Sequence, residues 1–276
     1  MHQVLANAMK ENPVDLYNNV YSGFATDAEV AVRHQTYGED IGQSSWMTAS
    51  EWLRFADQLG VTAGSEVLEV GSGSGGPAIY LALKRGCRIT GVDINEHGVR
   101  NAIALAANRG LADRVDFRVI NAGATLAFPA GRFDAILSND AMCHIDQRLA
   151  VLREWHRILR PGARALFTDA MVITGPVSHQ ELAIRSSIGF YLFVPPGENE
   201  RLLKEAGFEL LDVEDLTGSA AEISRRWCDA REEHREALIR REGAENFQGL
   251  QRFLQCVHNL STERRLSRYS YLAQKK

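Results

Sequence analysis

The segment 67–77 constrains the fold of this chain more than any other, because an apolar run ends there in a cluster of glycines. Val67, Leu68 and Val70 are typical of a strand that is buried on both faces, and the apolar residues after Pro77 predict a helix packed back on it. Glycines between a strand and a helix permit a sharp turn and allow a ligand to approach the backbone closely. The segment therefore predicts a ligand-binding loop.

The glycine spacing alone leaves the identity of that ligand open. Gly71, Gly73 and Gly76 fit the pattern G-x-G-x-x-G, which is compatible with NAD, FAD and S-adenosylmethionine. Glu69 lies two residues before the first glycine, where a carboxylate would contribute nothing to binding a pyrophosphate but would attract a cation. The pattern with Glu69 in front of it thus favours a positively charged ligand.

A second acidic residue follows at the distance that a nucleotide-binding fold requires. Residues 88–94 predict a second strand with Asp93 near its end, roughly twenty residues beyond Gly71, where doubly wound folds place the carboxylate that binds ribose hydroxyls. An aspartate at a strand end can also cap the next helix. With the glycine loop in front of it, Asp93 is interpreted as the ribose ligand.

Strand and helix patterns alternate from residue 61 onward, with further strands predicted at 115–120, 133–138, 163–168 and 208–213. This alternation predicts a Rossmann-like, doubly wound α/β fold with a mostly parallel, seven-stranded sheet. Ligands bind at the carboxyl ends of such strands, so the polar residues that follow the strands should converge there. These residues are Glu69, Asp93, Asn121, Asn139, His144 and Asp169.

Three regions are expected around this pattern. Residues 1–60 predict an N-terminal helical cap, interrupted at Asn12 and Pro13 and again at 37–42. Residues 61–217 form the nucleotide-binding core, in which the apolar, irregular stretch 170–196 is interpreted as a substrate lid. Residues 218–276 predict two amphipathic helices followed by a final edge strand at 266–272. The aromatic residues of the cap, Tyr17 and Trp46 among them, are interpreted mainly as core residues.

Composition and charge exclude several classes of function. The formal charge of −4 and the pI near 6.1 give no reason to expect nucleic acid as a partner. The four cysteines form no C-x-x-C pair, which argues against a disulfide framework and a metal site. No run of about 18 apolar residues occurs, and the N-terminus resembles no signal peptide. We therefore expect a cytoplasmic protein that is a monomer or a homodimer, without membrane or metal.

Four motifs, taken in order, resemble those of class I S-adenosylmethionine-dependent methyltransferases that act on small molecules. They are Glu-Val-Gly-Ser-Gly-Ser-Gly at 69–75, Gly-Val-Asp-Ile at 91–94, Phe-Asp-Ala-Ile at 133–136 and Arg-Ile-Leu-Arg-Pro-Gly at 157–162. The chain is similar to phosphoethanolamine and sarcosine/dimethylglycine N-methyltransferases and to sugar O-methyltransferases of natural-product pathways. The resemblance implies transfer of a methyl group from S-adenosylmethionine to an N or O atom of a small-molecule acceptor.

The resemblance also implies which residues hold the cofactor. Glu69 and the loop residues Gly71, Ser72 and Gly73 would face its methionine and ribose parts, and Asp93 would bind the ribose hydroxyls. The remaining implied contacts are Ile94 and Ala122 around the adenine, Asn121 at its amino group, the backbone at Ser138 or Asn139, and Gln43, Ser44 and Trp46 over the methionine end. Relatives often have aspartate in place of Asn121, but an amide oxygen can accept the same hydrogen bond.

His144 matches a histidine that several relatives carry after the fourth strand, which implies a general base. A neutral imidazole could take a proton from an attacking hydroxyl or ammonium, and Asp169 could orient the resulting imidazolium. The alternative is that His144 only caps the following helix. Since methyl transfer is an in-line displacement, a base is needed only when the acceptor arrives protonated.

Two departures from the phosphobase enzymes bear on the acceptor. Ala25 and Ala170 stand where those enzymes carry tyrosines, which argues against phosphoethanolamine, and the apolar stretch 186–194 favours a larger or less polar acceptor. Two other functions remain open at this point. One is a non-catalytic S-adenosylmethionine-binding subunit, and the other is an NAD-dependent oxidoreductase, which only the glycine spacing favours.

Overall fold

The apolar strand patterns form one seven-stranded sheet in the computed structural model, which describes residues 16–276. The predicted interruption at Asn12 and Pro13 lies outside these residues. The strands are β1 (Glu66–Val70), β2 (Arg88–Asp93), β3 (Val115–Val119), β4 (Phe133–Ser138), β5 (Leu159–Ile173), β6 (Phe208–Asp215) and β7 (Leu266–Lys275). Their order across the sheet is β3-β2-β1-β4-β5-β7-β6. The first five strands in this order are parallel to one another, while β7 is antiparallel to β5 and β6. The predicted mostly parallel sheet is thus confirmed.

Helices cover both faces of the sheet and its carboxyl end. They are α1 (Leu16–Ser22), α2 (Asp27–Tyr37), α3 (Ala49–Gln58), α4 (Gly76–Arg85), α5 (Glu96–Asn108), α6 (Arg148–Ile158), α7 (His179–Arg185), α8 (Glu198–Glu205), α9 (Thr217–Glu233), α10 (Arg235–Glu242) and α11 (Ala244–Thr262). Successive residues of β1 point to opposite faces, so Val67 joins a core with Trp52 of α3, while Leu68 joins another with Trp155 of α6. Both faces of the central strands are therefore buried, as their apolar sequences predict.

A third core connects the N-terminal helices with the C-terminal ones. Val32 of α2 and Trp46 pack with Trp227 of α9 and Phe253 of α11, although the two regions are far apart in sequence. The indole rings of Trp46 and Trp227 lie 6.0 Å apart between centroids. This core places α1, α9 and α11 at the carboxyl end of the sheet, where the loops after the strands also lie.

The final strand corrects the predicted edge strand. β7 lies between β5 and β6 and pairs with both, so the edges of the sheet are β3 and β6. The alternating polar residues of β7 suggested a solvent-facing strand, yet Arg268 and Ser270 are buried. They can be buried because Arg268 binds Glu51 and Asp140 below the carboxyl ends of the strands. The sequence pattern of β7 is therefore that of a solvent-facing strand, although the strand lies inside the sheet and its arginine is buried as a paired charge.

Two further segments differ from the predictions. Three helices, α9 to α11, replace the two predicted for the C-terminal region, because the chain breaks at His234 and again at Gly243. The stretch 170–196 holds the end of β5, the short helix α7 and a loop. None of the helices formed by residues 16–276 has the length and apolar character needed to cross a membrane.

Candidate active site

A cavity of about 400 Å³ opens at the carboxyl ends of β1, β2 and β4. The loops after these strands form its floor, and α1, the segment 42–47 and the loop 188–191 form its opposite wall. Of the residues predicted to contact the cofactor, all but Ser138, the alternative to Asn139, line it: Gln43, Ser44, Trp46, Glu69, Gly71, Ser72, Gly73, Asp93, Ile94, Asn121, Ala122 and Asn139. His144 lines the same cavity, whereas Asp169 does not. The topology therefore brings together residues that span about a hundred positions of the sequence.

The glycine loop leaves room for a ligand because its glycines carry no side chains. Gly71 has φ +81°, and a Cβ added there would lie 2.4 Å from the Cβ of Ala141. Its amide donates to the carbonyl of Val92 at 2.8 Å, which fixes the loop against β2. At Gly71 only glycine combines this positive φ with the close approach of the loop after β4.

Asp93 holds the loop and the start of α5 at once. Its Oδ2 accepts a hydrogen bond from the amide of Gly73 at 2.8 Å, and its Oδ1 accepts one from the amide of Asn95 at 2.8 Å. Burial raises the pKa of the Asp93 carboxyl, while these amide hydrogen bonds oppose the rise. A carboxylate has about four acceptor positions, so the amide hydrogen bonds still leave Asp93 able to accept from a hydroxyl group in the cavity.

Glu69 brings a buried acceptor atom without a partner to the same cavity. The residue is 4% exposed, and its Oε2 has no hydrogen-bond donor among the described residues. Burial raises the pKa of the Glu69 carboxyl well above its usual range, and the nearby Asp93 adds to the rise. Since a buried acceptor without a donor is costly, this atom fits a cationic ligand that supplies the missing hydrogen bond.

The residues of the opposite wall make structural contacts of their own. The side-chain oxygen of Gln43 accepts from the amide of Ile41 at 2.8 Å, so this amide group stabilises its own turn. The backbone amide of Trp46 donates to Oδ2 of Asp140 at 3.0 Å, which ties the segment to the loop after β4. Ser44 lies between them on the cavity wall. The wall is thus held close to the loop after β4.

At the far end of the cavity, Ile94 is 67% exposed and Ala122 lies beside it among the lining residues. The side-chain oxygen of Asn121 accepts from the amide of Gly123 at 2.9 Å and keeps a second lone pair. The side-chain oxygen of Asn139 instead accepts from Arg268 at 2.8 Å, below the cavity. At Asn139 it is therefore the backbone, and not the side-chain oxygen, that is available to a ligand.

The hydrogen bonds of His144 define the protonation of its ring. Its Nδ1 lies 2.8 Å from the carbonyl oxygen of Phe190, which can only accept, so Nδ1 carries the proton. Its Nε2 lies 2.7 Å from the hydroxyl of Tyr17, which therefore donates to the nitrogen lone pair. Burial lowers the pKa of the His144 imidazole. The site thus contains a neutral imidazole whose Nε2 accepts a hydrogen bond from the Tyr17 hydroxyl on the cavity wall.

Comparisons with known proteins identify the family. Residues 68–167 match the family described as "Methyltransferase domain". The 27-O-demethylrifamycin SV methyltransferase of Amycolatopsis mediterranei (strain S699) is 30% identical over 212 residues, which cover 72% of this chain and 77% of that protein. This chain belongs to the class I S-adenosylmethionine-dependent methyltransferases. The O-methyltransferase resE of Aspergillus sclerotiorum is likewise 30% identical, over 71% of this chain and 75% of that protein.

A solved structure supports the fold of the methyltransferase. Phosphoethanolamine N-methyltransferase 2 of Haemonchus contortus, in complex with S-adenosyl-L-methionine, superposes with a TM-score of 0.78 at 22% identity. The match covers 95% of this chain and 60% of that one. The enzyme uses S-adenosylmethionine to methylate small molecules, as predicted. Among residues 16–276, no group of three or more metal-ligating side chains occurs.

The predicted partnership of Asp169 with His144 is wrong. Asp169 of the methyltransferase is fully buried, and its Oδ2 accepts from Arg148 at 2.6 Å and from Asn199 at 2.9 Å. Its Oδ1 accepts from the amide of Met171 at 2.9 Å. The carboxylate lies at the strand end, as expected, but it turns into the protein because a buried arginine is there to pair with it.

The residues that contact His144 differ from those predicted from the sequence. Tyr17, interpreted as a core residue, supplies the hydroxyl at Nε2, and the ring of Tyr191 lies 4.4 Å from the imidazole between centroids. The cavity therefore contains tyrosine side chains although Ala25 and Ala170 stand where the phosphobase enzymes carry tyrosine. These tyrosines reach the cavity from α1 and from the loop after α7. No periodicity marks them, since both lie in segments whose position depends on tertiary packing.

Proposed function

We propose that the methyltransferase O-methylates a hydroxyl group of a largely apolar small molecule, with His144 as the final proton acceptor. The observation that carries the proposal is the hydrogen bond from the Tyr17 hydroxyl to Nε2 of His144. Tyr17 lines the cavity, so an acceptor hydroxyl can donate to the Tyr17 oxygen from the other side. The two side chains then form a short path for a proton from the acceptor to the imidazole.

Each group along this path takes up one proton as the previous group loses one. As the acceptor oxygen gains the methyl group, its proton passes to the oxygen of Tyr17 while the Tyr17 proton passes to Nε2 of His144. The imidazolium that results keeps its Nδ1 hydrogen bond to the carbonyl of Phe190. Burial raises the pKa of the Tyr17 phenol, so Tyr17 relays the proton and does not remain ionised.

Cofactor binding is assigned to the residues around the glycine loop. When bound, S-adenosylmethionine supplies a methyl group on a positively charged sulfur. Glu69 would pair with its ammonium group, Asp93 would accept from the ribose hydroxyls, and the loop at 71–73 would lie against its methionine and ribose parts. Ile94 and Ala122 would flank the adenine, Asn121 and the backbone of Asn139 would contact its polar atoms, and Gln43, Ser44 and Trp46 would enclose the methionine end.

An oxygen nucleophile is favoured over nitrogen for two reasons. A hydroxyl reaches the site protonated and gains from a neutral imidazole, whereas an amine in its free-base form has a lone pair ready for displacement. Two relatives of 30% identity, matched over 77% and 75% of their own length, are named 27-O-demethylrifamycin SV methyltransferase and O-methyltransferase resE. Relatives of the same identity that are named N- or C-methyltransferases are matched over only 36% and 53% of their length. Apolar side chains of Ile188, Trp227 and Phe253 line the acceptor side of the cavity, which suits a largely apolar substrate.

The test is the release of S-adenosylhomocysteine with phenolic, sugar and amine acceptors. We expect hydroxyl acceptors to be methylated, and His144→Gln and Tyr17→Phe each to lower kcat by about 10²- to 10⁴-fold, the usual share of a general base. Cofactor affinity, measured by calorimetry, should stay unchanged. His179→Gln, at an exposed position of α7, is the matched control. Methylation of amines alone, or full activity of His144→Gln, would contradict the proposal.

The pH profile adds an independent check. Because burial lowers the pKa of His144, the base form persists below the ordinary pKa of histidine, and kcat should fall only as the pH drops through this lowered value. In His144→Gln the residual rate should lack that acidic limb. A wild-type profile whose acidic limb persists in His144→Gln would assign the titration to another group.

A further inference from the structure

A buried arginine lies directly behind the acceptor side of the cavity. Arg185, the last residue of α7, is 1% exposed. The centre of its guanidinium lies 5.2 Å from the ring centroid of Tyr191 and 4.7 Å from that of Phe253. Both rings line the cavity, as does Ile188, one turn further along the chain. The guanidinium of Arg185 thus packs against two rings that form part of the cavity wall.

The charge of Arg185 has no acidic partner among residues 16–276. Its Nε and Nη1 make no hydrogen bond there, and its Nη2 donates to the thioether sulfur of Met171 at 3.3 Å, which is a weak acceptor. Its interaction with the hydroxyl of Tyr191 is with a neutral group, because burial raises the pKa of that phenol and Arg185 opposes the rise only in part. The other fully buried arginines have acidic partners: Arg148 binds Asp169, Arg231 binds Glu242, and Arg268 binds Glu51 and Asp140. Arg185 is thus the exception within the part of the chain that the structure describes.

A guanidinium cannot lose its proton in a protein, so Arg185 remains charged although it is removed from water. Contacts with the faces of two aromatic rings compensate only part of that desolvation. The carboxylates of Asp140 and Asp169, which act on the neighbouring Cys143, are already bound by other arginines. An anion that enters the cavity would supply the counter-charge that residues 16–276 do not provide.

We propose that Arg185 binds an anionic oxygen group of the methyl acceptor. This inference rests on the proposed function, which places the reacting hydroxyl at Tyr17 and His144. The ring of Tyr191 contacts both positions, since its centroid lies 4.4 Å from that of the His144 imidazole and 5.2 Å from the guanidinium centre of Arg185. The acceptor is accordingly a hydroxylated acid, in which an apolar spacer separates the methylated hydroxyl from the anion.

The anion preference can be measured by binding, without turnover. The full-length protein loaded with S-adenosylhomocysteine is titrated calorimetrically with para-hydroxyphenylpropanoate, its neutral primary amide and para-hydroxybenzyl phosphate. We expect at least one anion to bind about tenfold or more tightly than the amide, as a charge-assisted hydrogen bond requires. The carboxylate and phosphate arms show which anion fits. Arg185→Met should abolish the preference, Arg185→Lys should restore part of it, and Arg201→Met, at an exposed position of α8, should leave it intact.

The melting temperature of the protein without ligand gives a second test, which does not depend on the choice of titrated compound. Because Arg185→Met removes an unpaired buried charge, it should raise the melting temperature, and a lower value would show that the charge is already satisfied. Absence of an anion preference in the wild type, or its persistence in Arg185→Met, overturns the proposal. Methylation of the amide as fast as of the acids would reject the role of Arg185 but retain O-methylation. Anion binding that depends on Arg185, without methylation of any hydroxyl, would retain the role of Arg185 but reject O-methylation.

Discussion

Replacing Glu69 with glutamine should weaken cofactor binding and, above mildly acidic pH, stabilise the protein without cofactor. The carboxylate is buried, its Oε2 has no donor among the described residues, and Asp93 lies nearby with the same charge. Without a cationic ligand the negative charge is therefore unfavourable. With a bound ammonium group it gains a charge-assisted hydrogen bond.

The loss in affinity follows from the type of contact. A hydrogen bond between charged groups contributes about 1.5–3 kcal/mol, and every 1.4 kcal/mol corresponds to about tenfold in the dissociation constant. Glu69→Gln should therefore weaken S-adenosylmethionine binding by about ten- to somewhat over a hundredfold in calorimetric titration. Glu66→Gln is the matched control on the same strand, since Glu66 is only partly buried and pairs with Arg132 away from the cavity.

The effect on stability has the opposite sign and depends on pH. Because the pKa of Glu69 is raised on folding, the native protein binds more protons than the unfolded chain, so its stability falls as the pH rises above the ordinary glutamate pKa. Without cofactor, wild type should lose this increment of stability with rising pH, while Glu69→Gln should not. Equal cofactor affinity in wild type and Glu69→Gln would refute the reasoning. So would a Glu69→Gln protein that is less stable than wild type at neutral pH.

Two further substitutions test packing around the site, each against a matched control in urea unfolding. Gly71→Ala should destabilise strongly and abolish cofactor binding because its Cβ would meet the loop after β4, whereas Gly131→Ala, also at positive φ but with nothing within 4 Å, should cost only about 1–2 kcal/mol. Arg148→Met should cost about 3–5 kcal/mol because it leaves Asp169 buried and unpaired. Arg153→Met, in an exposed ion pair, should cost about 1 kcal/mol or less, and equal losses for the two arginines would contradict this account.

The cofactor side of the site could be predicted from sequence because each of its determinants is local. Apolar runs define the strands, and the topology of a parallel sheet brings their carboxyl ends to one edge. Glu69, Asp93 and Asn139 could thus be placed in one cavity without knowledge of any contact between them. The predicted strand at 133–138 agrees with β4 residue for residue, since Phe133 to Ser138 form a run buried on both faces.

What the sequence could not give is the choice of partner over long distances. The Tyr17 hydroxyl reaches His144 across 127 positions, and Asp169 pairs with Arg148 although a histidine after β4 offered an equally plausible partner. Such choices depend on how separate helices, strands and loops pack against one another, about which the hydrophobic periodicity within each element carries no information. The interior position of β7 was hidden for the same reason, because the buried pairing of Arg268 with Asp140 is invisible in an alternating pattern.

These long contacts show how the chain separates its two tasks. The carboxylates assigned to the cofactor, Glu69 and Asp93, lie within the family region 68–167, whereas Tyr17, Tyr191 and Phe253 on the acceptor side lie outside it. The C-terminal helices hold this outer shell in place, since Arg241 of α10 donates to the carbonyl of Asn19 in α1 at 2.6 Å. Because these three residues and the glycine loop belong to different segments, acceptor selectivity can change at the three positions while the cofactor loop keeps its geometry.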